Sequence, residues 1–208
     1  MSVQVVILVS CSLSYALFLF WYGGRGRPMS TGDVDSLLER VKRNAETTES
    51  PFAEDLFTAI RDVAMNDDGR EFAMVNLIRY RTKAVYPPGW EYGDSPLEAD
   101  ARYHRAVIPL LLKRACFPIF LGRPAGRFLS PDGSDHWDVV ALVRYRSRRD
   151  FLGFCADVAG DRADMHKWAA IEKTQVFPVH VQFSLTTIRL LIAGILVFVV
   201  VFGFFMSQ

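Results

Sequence analysis

VNLIRYR at residues 75–81 returns as VALVRYR at residues 140–146, identical except for Asn76 against Ala141 and Ile78 against Val143. Each copy is a short apolar run containing β-branched residues, the composition of a buried strand. Similar signals follow each copy. After the first come a polar loop with Pro and Gly at 82–96 and a helical stretch at about 97–113. A strand at 117–121, continuing at 127–129, closes that half. After the second come a helix at about 149–173 and a strand at 175–183.

Two strand–helix–strand halves in tandem are the split βαβ pattern, so the expected fold class is α+β, ferredoxin-like βαββαβ. The sheet order expected is 4-1-3-2, with the two repeat strands side by side at its centre. Side chains alternate between the faces of a strand. Val75, Leu77 and Arg79 therefore share a face with Val140, Leu142 and Arg144, and this regular aliphatic face is expected to receive the helices. Met74, Asn76, Ile78 and Tyr80, beside Val139, Ala141, Val143 and Tyr145, are expected on the uncovered face. A sheet with helices on one side needs a cover on the other, and a second sheet packing face to face supplies one.

Outside the repeat, both ends of the chain are apolar. No Asp, Glu, Lys or Arg occurs over residues 3–22 or 190–206. At about 1.5 Å rise per residue, roughly 20 such residues cross a hydrocarbon core of about 30 Å. Both runs are expected to be transmembrane helices, the second helped by residues 185–188. Trp21 and Tyr22 close the first at the headgroup level, and Arg189 opens the second. A cleaved signal peptide is the competing reading of the first run, but it has neither a basic start nor a small-residue cleavage site, and its Leu8-Val9-Ser10-Cys11 lipoprotein-like box follows a non-basic stretch. Basic residues near the membrane (Arg25, Arg27, Arg40, Lys42, Arg43, Lys173, Arg189) all lie between the two runs. The positive-inside rule places the central domain in the cytoplasm and both termini on the opposite side. Small residues Ser10, Cys11 and Ser14 on the first helix and Ala193 and Gly194 on the second are expected to let the pair pack together.

The expected organisation is a transmembrane helix at 1–24, a linker and helical extension at 25–71, the α/β domain at 72–184, and a transmembrane helix with a short tail at 185–208. In the extension, Val34, Leu37, Leu38 and Val41 recur at helical spacing. A second helix is expected to begin at Ser50-Pro51, carry Phe52, Leu56, Ile60 and Ala64, and end at Asn66-Asp67-Asp68-Gly69. Cys116 and Cys155 are isolated, with no metal-ligand spacing, and read as small buried apolar residues. A net charge of +1 with no basic stripe argues against a nucleic-acid partner. No phosphate-binding Gly loop, His-Glu-x-x-His or Gly-x-Ser-x-Gly is present, and no metal or cofactor is expected.

AMVNLIRYR at 73–81, EADARYHRAVIPLLLKRA at 98–115, HWDVVALVRYRSRRDFLGF at 136–154 and HKWAAIEKT at 166–174 resemble the dimeric α/β-barrel superfamily, and within it a branch of unassigned function. The resemblance implies two sheets paired face to face around a cleft. Members of the superfamily include muconolactone-type isomerases, cofactor-free oxygenases and haem binders. The membrane helices and the extension depart from the branch, whose members are usually soluble.

Candidate site residues follow from the polar groups near the expected cleft. Asn76 places an amide in an apolar strand face, where it needs partners. Tyr80, Tyr145 and Trp137 are further candidates for ligand binding. His104 is a candidate general base, with Tyr103 beside it, because an imidazole pKa near roughly 6.5 suits proton transfer. Glu98 and Asp100 precede His104 and are read as lying on other faces of the helix. His136 and Asp138 are read as turn-end groups, Trp168 beside His166 as a packing residue, and Arg79 and Arg144 as strand-end arginines with solvated heads. The function expected is a membrane-anchored accessory or binding subunit. Its partners are the bilayer, itself or another α/β-barrel domain through the open sheet face, and other membrane subunits. The alternative is an isomerase-like or cofactor-independent oxygenase-like enzyme acting on a hydrophobic small molecule.

Overall fold

A computed structural model describes residues 2–23, 26–48, 54–129, 131, 133–184 and 188–206. The chain divides into two compact units, Met1–Gly24 with Val181–Gln208, and Arg25–His180.

The first unit holds the two helices long and apolar enough to cross a membrane, α1 (Val3–Tyr22) and α7 (Ile188–Met206). Ser2 caps α1 by accepting from the Val5 amide. The helices lie antiparallel. Tyr15 donates to the Arg189 carbonyl at 3.4 Å and the Arg189 guanidinium sits over the Tyr22 ring, while at the other end Gly203 meets Ile7. The less exposed stripe of α1 is Gln4, Ile7, Cys11, Tyr15, Phe18 and Tyr22, at helical spacing. The expected packing seam is corrected in part. Cys11 and Ala193 lie in it, but Ser10 and Ser14 are exposed and Gly194 has open space where a Cβ would stand. The larger side chains one turn apart on α1 define the contact, with Gly203 as the small residue opposite.

The second unit is α+β, a single antiparallel sheet of four strands with helices α2 to α6. Its strands are β1 (Phe72–Tyr80), β2 (Phe117–Gly122), β3 (Val139–Tyr145) and β4 (Ile171–Val179), in the order β2-β3-β1-β4. The two repeat strands are neighbours, with Val75 opposite Leu142 and Asn76 opposite Ala141. This is the order read from the repeat.

Three helices begin with a serine whose hydroxyl accepts the amide three residues on, where the side chain is acidic. They are α2 (Thr31–Thr48) capped by Ser30 with Asp33, α4 (Pro96–Leu112) capped by Ser95 before Glu98, and α5 (Arg148–Gly160) capped by Ser147 with Asp150. Helix α3 is Glu54–Met65, and the expected start at Ser50, Pro51 and Phe52 lies outside the described residues. The long second helix is corrected. Asp161 caps α5, Arg162 takes a left-handed conformation (φ 55°), and a separate α6 (Ala163–Ala170) follows. β4 consequently starts earlier than expected, at Ile171. Residues 127–129 are not strand.

The faces of the sheet are also the reverse of the expectation. Phe72, Met74, Val143 and Tyr145 pack with Val107, Leu111, Phe151 and Leu152 in the main core, and Ile78, Val139 and Ala141 pack with Ala99, Ala169 and Ala170 in a second cluster. Helices therefore cover the Met74/Asn76/Ile78/Tyr80 face. The Val75, Leu77, Val140 and Leu142 face is part-exposed and belongs to neither core cluster. Aliphatic regularity does not distinguish the two faces. The large aromatics Phe72 and Tyr145, which bury more area per residue, decide it.

The extension belongs to the same core. Val34, Leu38 and Val41 of α2 and Ile60 and Ala64 of α3 are buried in the main cluster. Polar contacts fix α2 on α5: Asn44 donates to the Ala156 carbonyl at 2.8 Å, and Arg40 and Arg149 pair with Asp157 and Asp33. Arg144 differs from the solvated strand-end reading. It is 5% exposed, donating to the Glu71 carboxylate and to the Ala115 carbonyl at 2.7 Å.

Candidate functional site

Asp100 is buried at 8% exposure in the first turns of α4, where an unpaired carboxylate is costly. The Tyr80 hydroxyl, at the end of β1, donates to Asp100 Oδ2 at 2.6 Å. His104 Nδ1 lies 3.3 Å from the same oxygen, one helical turn along α4. The expectation that Asp100 and His104 lie on different faces is thus corrected, because residues four apart on a helix are neighbours. Glu98 is the acid that points elsewhere, pairing with Arg102.

Tyr80 is itself fixed by the backbone. A register shift between Arg79 and Tyr80 re-aims the strand end, and the Tyr80 amide donates to Asp138 Oδ2 at 2.8 Å while the Asp138 amide donates to the Ile78 carbonyl. Burial, then the hydrogen bond to Asp100, pushes the Tyr80 phenol above its ordinary pKa. It is a neutral donor at any physiological pH.

These groups line a cavity of about 420 Å³, together with Leu97, Ala101, Leu121, Gly122, Arg123 and Val139. Leu121 and Arg123 are exposed at its mouth, and Asp100 is buried beneath. Asp100 can hold the imidazole in the tautomer with hydrogen on Nδ1, which leaves Nε2 as an acceptor of protons. The arrangement suits a proton transfer assisted by an oriented base, or the orientation of a polar ligand group.

The other sequence candidates sit elsewhere. Asn76, on the helix-covered face, donates from Nδ2 to the Met74 carbonyl at 3.0 Å and does not line the cavity. Tyr145 is 5% exposed, with its ring 5.5 Å from Phe72 and edge-on to Phe151, and burial pushes its phenol well up. Tyr103 packs against the main core, and Lys167 Nζ stands 5.8 Å from its ring centre. Trp137 is half-buried just before β3, outside the cavity lining. His136 is exposed, 3.5 Å from Asp138.

Sequence reading missed Asp100 and Arg123 as site residues. For Asp100 the signal was present, as the four-residue spacing to His104. For Arg123 there was none, because its place depends on where β2 ends. His166 also gains a role: Tyr86 OH lies 2.8 Å from its Nδ1, and Tyr86, Trp90 and Tyr92 surround its ring, pinning the loop before α4 onto α6. No group of His, Cys, Asp and Glu suited to holding a metal ion occurs among the described residues.

No family model matches the chain, and no curated protein is a significant match. Solved structures do resemble it. A structure of the methylated RPA0582 protein is 26% identical with a TM-score of 0.54, covering 64% of this chain and 93% of that one. A structure of RPA0582 from Rhodopseudomonas palustris, a protein of unknown function, is 25% identical with a TM-score of 0.55, covering 64% and 96%.

Proposed function

We propose that the protein is a membrane-anchored binding subunit whose ferredoxin-like domain, of the dimeric α/β-barrel type, pairs with a second copy through its uncovered sheet face. The observation that carries this is the apolar composition of that face. Val75, Leu77, Val140 and Leu142 occupy its centre, flanked by Phe120 at 53% and Phe177 at 38% exposure. A contiguous exposed apolar patch on a folded domain marks an interaction surface. Arg79, Lys173 and Glu172 at one edge give it charges of both signs, which a two-fold pairing can match against themselves. With every Lys and Arg between the charge-free runs at 3–22 and 190–206, the domain is cytoplasmic and both termini lie on the opposite side. In this reading the bilayer and other membrane subunits are its surroundings, and the module serves as an accessory to their assembly.

Light scattering of the full chain in mild detergent tests the pairing. A dimer is expected, and Leu142→Glu, on the open face, should give a folded monomer. A wild-type monomer, or a dimer indifferent to that charge, removes the proposal.

A second reading is favoured by the Tyr80–Asp100–His104 arrangement at the cavity: an isomerase-like enzyme in which His104 moves a proton on a hydrophobic molecule. Asp100 orients the imidazole and Tyr80 holds Asp100 in place. A molecule that co-purifies in detergent, identified by mass spectrometry, should then acquire deuterium from D2O with the wild type and not with His104→Gln. Equal incorporation in both removes this reading.

A further inference from the structure

We propose that the cavity beside Tyr80 and His104 takes a small apolar carboxylic acid, with its carboxylate on Arg123 and a hydroxyl against His104. This rests on the reading of the cavity as a ligand site.

The hydrogen-bond inventory of the lining makes the assignment. Asp100 is buried, and its Oδ2 accepts from the Tyr80 hydroxyl and stands 3.3 Å from His104 Nδ1. Tyr80 has given its one hydroxyl proton to Asp100, so it can only accept. His104 turns Nδ1 toward Asp100 and retains Nε2. Arg123 differs from all of these. It lines the cavity, is exposed, and forms no hydrogen bond or ion pair among the described residues. Its planar guanidinium presents five N–H donors in a fork that matches a carboxylate.

Charge fixes the orientation. Asp100 beneath the cavity repels an anion, and Arg123 at the mouth attracts one, so the carboxylate belongs at the mouth. Arg123 likewise opposes a cationic ligand. The rest of the lining, Leu97, Ala101, Leu121 and Val139, favours an apolar body. The other end of the ligand meets the half-buried His104, where a hydroxyl donates to the remaining ring nitrogen.

The test uses the full chain in detergent and calorimetric titration with 4-hydroxybenzoate and its neutral analogue 4-hydroxybenzamide. The acid is expected to bind about tenfold or more tightly than the amide, the scale of a charge-assisted hydrogen-bonded pair. Arg123→Gln, at an exposed position, should erase that preference by weakening the acid alone. Ala101→Trp, which fills the cavity from an exposed helix position, should abolish binding of both. Equal binding of acid and amide by the wild type, or a preference that survives Arg123→Gln, overturns the carboxylate assignment and leaves the cavity a ligand site. Absence of binding of either probe, or binding indifferent to Ala101→Trp, overturns the cavity as a ligand site as well.

Discussion

The Tyr80 hydroxyl reaches from the end of β1 to Asp100 Oδ2 on α4, at 2.6 Å. The bond joins sheet to helix at the cavity and satisfies a carboxylate that is 8% exposed. Tyr80→Phe removes the donor but leaves the buried acceptor, a change that costs about 1–3 kcal/mol. The midpoint of thermal unfolding in detergent should fall accordingly. Tyr80→Phe combined with Asp100→Leu should fall by less than the sum of the single changes, because the two groups act as one unit. Full additivity would show that the bond has no role in stability.

Gly69 ends the turn after α3 with φ at 72°, and a Cβ placed there would stand 2.7 Å from backbone atoms of Gly26 and Arg27. Gly69→Ala meets both the left-handed penalty of about 1–2 kcal/mol and a backbone clash. A lower unfolding midpoint is expected, larger than for Gly89→Ala, which has positive φ but open space around it. Equal losses at the two positions would assign the effect to φ alone.

Burial pushes the Cys116 thiol from 9.0 up to about 11 and the Cys155 thiol from 9.0 up to about 12. Thiolate is the reactive form, so iodoacetamide at pH 8 should leave both unmodified in the folded protein and label both in urea. A folded-state pKa above the unfolded one means that the unfolded state loses its proton first. The associated stability is complete below about pH 9 and is lost as pH rises toward 11 and 12. A Cys116→Ala, Cys155→Ala variant should therefore show a shallower alkaline fall in melting temperature. Rapid labelling of the folded wild type would contradict the burial.

Between α1 and α7, a Cβ at Gly203 would stand 2.8 Å from Ile7 Cδ1, whereas Ser10 and Ser14 are exposed on α1. Gly203→Ile should loosen the α1–α7 contact, and Ser10→Leu with Ser14→Leu should not. Oxidative cross-linking of a cysteine pair introduced at Tyr15 and Ile192 reads this out. Loss of cross-linking with the serine variants alone would place the seam on the other stripe.

The repeat carried the strand order. VNLIRYR and VALVRYR differ at so few positions that their adjacency in the sheet followed from the tandem halves, and it is found. The lengths of the two apolar runs likewise marked both membrane-length helices, because hydropathy over a span is a one-dimensional property. The serine caps at Ser30, Ser95 and Ser147 are contacts between residues three apart, as local as the repeat, yet the only capped start read from the sequence was Ser50-Pro51.

What lay beyond the sequence depends on contacts between distant segments. Both faces of β1 and β3 are apolar, so alternation divides the side chains into two sets without saying which set the helices cover. That is decided by Phe72 and Tyr145 packing on Phe151, and by α2 and α3 filling the same core. The break at Arg162 has no Pro or Gly at its own position to announce it, because the turn is imposed where α5 ends and α6 redirects the chain toward β4. The site divides in the same way. Asp100 and His104 form a pair because four residues span one helical turn, a relation written in the sequence. Tyr80 and Arg123 join them only when β1 and β2 end beside α4, and that meeting exists only in the folded chain.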